Sequence, residues 1–352
     1  MTAVIPSIKV VNKKTQLINN PGNAGKVAVV GAFDTTEADP QLFMTVGEAQ
    51  TAFGTDSTYN GCAVIPDLFK GAESLLAVNI TTETTVDTVT TREKELTTTK
   101  LTNALAKIKG EDFDILFVAA TLTDSFLPII TAFLDEVYGM KYPAGFVGCL
   151  AGANTAANVT SAGLAGDHCY GLITQQLTVD GTELSLLRSA AYYAGLIAGM
   201  GVGSTMTMKE VSGVTAINPE LSFETGGNGK ALLEAGITTF KVQDRNTGRI
   251  VVVNSEQPNG LDLYINRVRD YVVKEFALHQ FLGERNNDVT LSEIKQEVDR
   301  VEDECVRVLD LLEDIQYTVA KENASTVGIT IDSLIFSGII TKINVYVRVE
   351  VE

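Results

Sequence analysis

The chain has 352 residues, more than one hydrophobic core usually serves, so two or more domains are expected. Hydrophobic residues make up 45% and charged residues 20%, the composition of a globular protein rather than a disordered one. The formal net charge of −17 argues against nucleic acid and anionic membranes as partners, because both call for a basic surface, and leaves room for a basic protein partner.

At the start, Val4, Pro6, Ile8 and Val10 alternate with Ala3, Ile5, Ser7 and Lys9, an extended pattern broken only by the apolar Ile5. Pro6 cannot donate to a ladder, which suits an edge strand. Residues 12–25 (N-K-K-T-Q-L-I-N-N-P-G-N-A-G) read as a linker. The opening is thus a short strand on a tether, docked either on its own domain or on another copy. It lacks the basic start and apolar run of a signal peptide.

Residues 26–34 (K-V-A-V-V-G-A-F-D) are expected to form a buried strand ending in a glycine turn. Residues 45–53 follow as a short helix stopped by Gly54, and 62–70 as a second helix stopped by Gly71. Residues 74–80 read as a strand. The threonine-rich, charged segment 81–102 reads either as an exposed strand pair or as a loop between domains.

The middle alternates strand and helix. Strands are expected at 114–120, 145–150 and 170–177, with a helix at 125–138. A helix at 183–200 carries Ser189, Ala190, Ala191, Ala194, Gly195, Ala198 and Gly199, small residues that permit close approach to a sheet or a second helix. Such alternation indicates a largely parallel α/β layer fold. The longest apolar stretch, 190–202, is too short and too glycine-rich to span a bilayer.

Residues 237–243 and 249–254 flank D-R-N-T-G and predict a hairpin around Asn246 and Gly248. A helix is expected over 261–282, with Leu261, Ile265, Val268, Val272, Phe276 and Leu282 facing inward. Thr290 and Glu293 then read as a capping box. Leu291, Ile294, Val298, Val301, Cys305, Val308, Leu312 and Ile315 repeat at helical spacing up to 315. The polar positions between them are mostly acidic: Glu297, Asp299, Glu302, Asp303, Glu304, Asp310, Glu313 and Asp314. The plain reading is an amphipathic helix packed on its own domain; the functional one adds an outward acidic face for a basic partner.

The chain closes on K-I-N-V-Y-V-R-V-E-V-E, residues 342–352. Ile343, Val345, Val347, Val349 and Val351 alternate with Asn344, Tyr346, Arg348, Glu350 and Glu352. This is a β-strand with one apolar face, and it needs edge partners from its own fold or from another copy.

The residues offer little chemistry. Cys62, Cys149, Cys169 and Cys305 are scattered without a C-x-x-C pair and read as reduced thiols, so the sequons at Asn79, Asn158 and Asn323 read as chance matches. His168 and His279 are the two histidines. No G-x-S-x-G elbow, H-E-x-x-H, Walker A loop, EF-hand loop or G-x-G-x-x-G turn is present. Asp167-His168-Cys169 is the cluster to weigh, with Cys149 as a further metal ligand. Consecutive residues of an extended segment point to alternating sides, so they do not converge as nucleophile, base and orienting acid.

The order of the pieces resembles the contractile tail sheath proteins of bacteriophages and related injection machines. The stretches that carry the resemblance are Val27-Ala-Val-Val-Gly31, Thr45-Val-Gly-Glu-Ala-Gln-Thr-Ala-Phe-Gly54 and Ala63-Val-Ile-Pro-Asp-Leu-Phe-Lys-Gly71. Ala194-Gly-Leu-Ile-Ala-Gly199, Leu232-Leu-Glu-Ala-Gly-Ile237, Asn266-Arg-Val-Arg-Asp-Tyr271 and Phe281-Leu-Gly-Glu-Arg-Asn-Asn287 follow in the family's order. The family's P-G-V-Y-I-x-E start is replaced by Ile5-Pro-Ser-Ile-Lys9.

The resemblance implies an α/β fold: a subtilisin-like, non-catalytic parallel-sheet core, an α+β C-terminal region and extended N- and C-terminal β arms. The implied division is an N-terminal arm and linker (1–25), an N-terminal α/β region (26–105), a subtilisin-like sheath domain (106–240), a C-terminal sheath domain (241–338) and a C-terminal arm strand (339–352). It implies a structural subunit, not an enzyme and without a cofactor, that polymerises around a tail tube and contracts to drive the tube through the target cell envelope. Partners would be the chain itself in stacked, six-fold rings forming a helical sheath, the tail tube protein, and baseplate and tail terminator proteins, with no nucleic acid and no membrane insertion. The location would be a virion tail or injection particle assembled in the bacterial cytoplasm. The inter-subunit strands would use Ile343, Val345, Val347, Val349 and Val351, with Ile5, Ile8 and Val10. Family members hold the tube through charged contacts, which makes Glu302, Asp303, Glu304 and Asp310 candidate tube-facing residues. The alternatives are a cytosolic α/β enzyme or small-ligand binder using the central sheet, and another self-assembling shell protein.

Overall fold

A computed structural model describes residues 25–336, apart from 38, 87–88, 153–154, 245–247, 282–283 and 324. The expected arm strands, with Ile5, Ile8, Val10, Ile343, Val345, Val347, Val349 and Val351, lie outside the described residues.

The fold is mixed α/β around a parallel sheet. Its first half runs β1 (Lys26–Gly31), β2 (Gln41–Phe43), α1 (Val46–Phe53), α2 (Asn60–Leu68), β3 (Ser74–Asn79), β4 (Thr82–Val86), β5 (Val89–Glu93), α3 (Thr98–Lys107) and β6 (Ile115–Leu122). Next come α4 (Leu127–Gly139), β7 (Gly145–Leu150), α5 (Thr155–Ala162), β8 (Cys169–Ile173), β9 (Gln176–Val179), β10 (Thr182–Glu183) and α6 (Leu186–Ala198). The main sheet has the order β2-β3-β1-β6-β7-β8, parallel except for the short edge strand β2. Val27–Val30, Leu75, Ala77, Val78 and Ile115–Phe117 are essentially inaccessible, as a sheet covered on both faces requires.

Helices α2 and α6 pack on each other as well as on the sheet. A methyl group on Gly195 would lie 2.4 Å from the carbonyl oxygen of Asp67, and one on Gly71 would lie 2.3 Å from that of Gly195. The small residues of 183–200 therefore serve contact with a second helix. Beside this crossing, Arg188 clamps the buried Asp67 with two hydrogen bonds, 2.7 and 3.1 Å long. Burial lifts the Asp67 carboxyl above the usual range despite Arg188.

The second half contains β11 (Val214–Asn218), α7 (Asn228–Glu234), β12 (Phe240–Asp244), β13 (Arg249–Val252), α8 (Leu263–Glu275), α9 (Asp288–Asp303), β14 (Asp314–Lys321) and β15 (Val327–Ile335). A second apolar cluster, with Val268, Val272, Phe276, Ile294, Val298, Val301, Cys305, Leu312 and Ile315, lies among α8, α9 and the β14–β15 hairpin.

Most expected elements are present. Of the two readings of 81–102 the strand pair holds, as the hairpin β4–β5, and α3 follows it, with N-cap Thr97 accepting a hydrogen bond from the Lys100 amide. Four other readings need correction. The strand expected at 170–177 is two strands. Gln175, fully buried, bonds Phe240 and the Pro219 carbonyl in place of ladder partners, and the chain leaves the main sheet there. The helix expected over 261–282 stops at Glu275, and Leu278 follows in left-handed conformation with φ 44°. The helix expected up to Ile315 ends at Asp303, continues as one π-helical turn (Glu304–Val308), and gives way to β14. Asn287, not Thr290, caps it, accepting from the amides of Val289 and Thr290. Leu312 and Ile315 belong to the same apolar cluster as α9, so the three-four spacing runs on past the helix end.

Candidate assembly surface

The two-stranded ribbon β14–β15 is antiparallel, with a register shift between Gln316 and Tyr317. Ile315, Tyr317 and Val319 on β14, with Val327, Ile329, Ile331 and Leu334 on β15, turn toward α8 and α9. Only Ile315 of this set is fully buried. Among the described residues each strand pairs only with the other, so each has an outer edge of unpaired backbone groups. Along β15 runs a groove of about 860 Å³, walled by Leu261, Ile265, Val273, Phe276 and Ala277 on one side and by Tyr138, Lys141 and Arg269 beyond. Phe336, at the end of the described chain, lines this groove and meets Tyr264 edge-on at 5.8 Å.

The acidic candidates lie nearby, on α9 and the turn after it. Glu302 is half-buried and accepts a 3.1 Å hydrogen bond from the Tyr317 hydroxyl, which also donates to Asp299. Burial, then these two carboxylates, raises the Tyr317 phenol above its usual range. Asp303 pairs with Arg307 at 2.8 Å, and Glu304 with Arg300 at 2.6 Å. Asp310 is exposed, in left-handed conformation with φ 50°. The structure thus gathers Glu302, Asp303 and Glu304 at the end of α9 but engages each within the subunit. Residues 288–310 still hold eight acidic against three basic side chains, so internal pairing leaves the region negative.

The helix α8 joins this surface to the core through buried polar groups. Arg267, 1% exposed, donates to the carbonyls of Met200 and Gly201, just past the end of α6, where a cation suits the helix dipole. Asp270 accepts from the Tyr170 hydroxyl at 2.7 Å and from Arg269 at 3.0 Å. Lys274 reaches Asp112 and, at 3.1 Å, Asp114, while Lys26 also pairs with Asp112. Burial alone would raise the Asp112 carboxyl, but the hydrogen bonds from Lys26 and Lys274 outweigh it and hold it below the usual range. Arg267, Arg269 and Asp270 fall within the Asn266–Tyr271 stretch noted in the sequence, but their role in the joint went unread there. The clue was charged Arg267 and Asp270 beside the apolar positions Val268 and Val272.

Asp167, His168 and Cys169 do not converge. His168 is buried, its Nε2 3.2 Å from Asp135, with the Tyr138 ring 5.2 Å away. The Cys169 thiol donates to Gln257 at 3.7 Å, and burial pushes it up to about 12. Cys149 and Cys305 are likewise buried and pushed up to about 11 and about 12, and burial also raises Cys62. Among the described residues no group of three His, Cys, Asp or Glu side chains is placed to hold a metal ion. The strand order reverses between β1 and β6, and the crevice there (about 370 Å³) is lined by Thr58, Asn60, Lys94 and Thr121, with no histidine or cysteine. Asn79 and Asn158, two of the sequon asparagines, are buried.

Residues 94–254 match the central domain of phage tail sheath proteins. Over that segment the chain is similar to the tail sheath central domain. The resemblance noted in the sequence is borne out over that segment. No curated protein matches. Among solved structures, the sheath tail protein of Desulfitobacterium hafniense shares the fold with a TM-score of 0.63 and 12% identity, over 90% of this chain and 97% of that one. The sheath tail protein Lin1278 of Listeria innocua does so with a TM-score of 0.61 and 14% identity, over 90% and 94%. A chain of the anti-feeding prophage baseplate in its contracted state matches with a TM-score of 0.57 and 13% identity, over 98% and 99%. The fold therefore extends beyond the matched domain to nearly the whole chain.

Proposed function

We propose that this protein is a structural subunit of a contractile tail sheath, located in a virion tail or injection particle. The observation that carries the reading is the sheath central domain at 94–254 within a chain whose whole fold is that of sheath proteins. Subunits assemble with copies of themselves in stacked, six-fold rings around a tail tube, bounded by baseplate and terminator proteins, and contraction drives the tube through a cell envelope. Assembly takes place in the bacterial cytoplasm, and the subunit works without catalysis. The core is subtilisin-like, and the chain divides into arm (1–25), α/β region (26–105), sheath domain (106–240), C-terminal domain (241–338) and arm strand (339–352).

The subunits are linked by exchanged terminal strands. The open edge of β15 and its apolar groove suit an added strand, whose backbone groups would complete a ladder while alternate side chains fill the groove. Residues 342–352 of a neighbouring copy supply the strand through Ile343, Val345, Val347, Val349 and Val351. The N-terminal strand, with Ile5, Ile8 and Val10, makes a second link. The acidic region with Glu302, Asp303, Glu304 and Asp310 faces the tube. Negative-stain microscopy tests the reading: the full chain forms sheath-like polymers, and removal of 341–352 leaves a folded subunit that forms none. A truncated chain that polymerises like the full one would refute the exchanged link, and a full chain that yields only small oligomers under all conditions would refute the sheath.

A further inference from the structure

A ladder of backbone hydrogen bonds does not by itself choose a register. The segment 342–352 presents Val345, Val347, Val349 and Val351 in succession on its apolar face. A slip by two residues keeps that face inward and puts an identical side chain in each place. Beyond Ile343 at its start, the degeneracy is broken by the other face, Lys342, Asn344, Tyr346, Arg348, Glu350 and Glu352, on which Arg348 is the cation followed by acids.

The receiving groove has matching charges at its rim. Asp332 on β15 is exposed and accepts from the Thr318 hydroxyl at 3.0 Å, and it has no cation partner among the described residues. Lys141, exposed just past the end of α4 with φ 68°, lines the opposite wall and has no ion-pair partner among the described residues. Arg269 lines the groove too, but is committed to Asp270 and to the carbonyl of Asp167. The rim therefore offers one available acid and one available base.

We propose that Asp332 and Lys141 set the register of the docked strand, Asp332 pairing with Arg348 and Lys141 with Glu350 of the neighbouring copy. This rests on the reading that the groove receives residues 342–352. A two-residue slip one way would bring Glu350 to Asp332, replacing attraction by repulsion; a slip the other way would leave Asp332 facing Tyr346. The valine repeat supplies adhesion, and the charges supply the address.

The test uses the full-length chain. K141E with D332K should lower the sedimentable polymer about tenfold, since two ion pairs change from attractive to repulsive. Adding R348E and E350K should restore it to within about twofold. The melting temperature of the soluble subunit checks that each variant folds. Register is read directly by cysteine pairs, because the native cysteines are buried. Asp332→Cys with Arg348→Cys should cross-link copies into a ladder, whereas Asp332→Cys with Tyr346→Cys or Glu350→Cys should not. Full polymer from the charge-reversed chain, no rescue by the compensating pair, or equal cross-linking at all three positions overturns the register assignment while strand docking stands. If removing 341–352 leaves polymer intact, docking itself fails and the assignment with it.

Discussion

The main sheet and the β14–β15 ribbon are built from the same kinds of β-branched residue but solve opposite problems. Strands β1, β3, β6, β7 and β8 bury both faces and pair with one another in parallel, and β8 is extended by a parallel bridge from Ile173 to Thr238. The ribbon has two strands, half-buried apolar side chains and open edges. A two-stranded ribbon is marginal by itself, and this one depends on α8 and α9 beneath it. The difference teaches that the core is complete within one subunit, whereas the ribbon has the form of a part that gains from addition.

The sharpest way to break this comparison is to overfill the core. Gly195→Val forces a branched side chain into the α2–α6 contact and should cost about 3 kcal/mol or more, read as a large drop in melting temperature. At the exposed Thr330, Thr330→Val leaves the side-chain volume nearly unchanged and should stay within about 0.5 kcal/mol. Next in size is Arg267→Leu, which leaves the Met200 and Gly201 carbonyls unpaired in a buried site. It should cost about 2 kcal/mol and split one calorimetric transition into two, as α8 loses its hold on α6.

Smaller still is Ile331→Ala on the half-buried face of β15, expected to cost about 1 kcal/mol in the free subunit, measured by denaturant melting. In assembled particles the same change should weaken polymer disproportionately, because the docked strand would complete that residue's burial. The smallest expected effect is acid sensitivity at the joint. The folded state holds the Asp112 carboxyl below its ordinary 3.8, so its contribution is complete above that pH and fades as pH falls through the lowered value. Asp112→Asn should lower stability slightly at pH 7, where the contribution is complete, and the gap from the parent chain should close as the pH falls below the ordinary 3.8.

Legibility in the sequence follows the same division. Strands covered on both faces announce themselves as apolar runs, so β1, β3, β6 and β7 were readable, as was the α6 stripe of small residues. Thr45 was readable as a helix start because a short polar side chain precedes an apolar repeat, and it does accept from the Glu48 amide. The ribbon was hidden because Leu312 and Ile315 extend the helical spacing of α9, and no local signal marks the π turn at Glu304–Val308. A readable sign was passed over: Ile315, Tyr317 and Val319, then Val327, Ile329 and Ile331, alternate on either side of a turn through Asn323 and Ser325. The joint at α8 was illegible for a different reason. Whether Arg267 is a surface cation or a buried one depends on where α6 ends, which lies 66 residues away in the chain.

The four buried thiols have a practical bearing. Each is pushed up by burial, so at neutral pH almost none is in the thiolate form that reacts with oxidants or alkylating reagents. Such a subunit should stay free of stray covalent links on exposure to air. The native chain is accordingly a silent background on which one introduced surface cysteine, carrying a dye or spin label, reports on its own position alone.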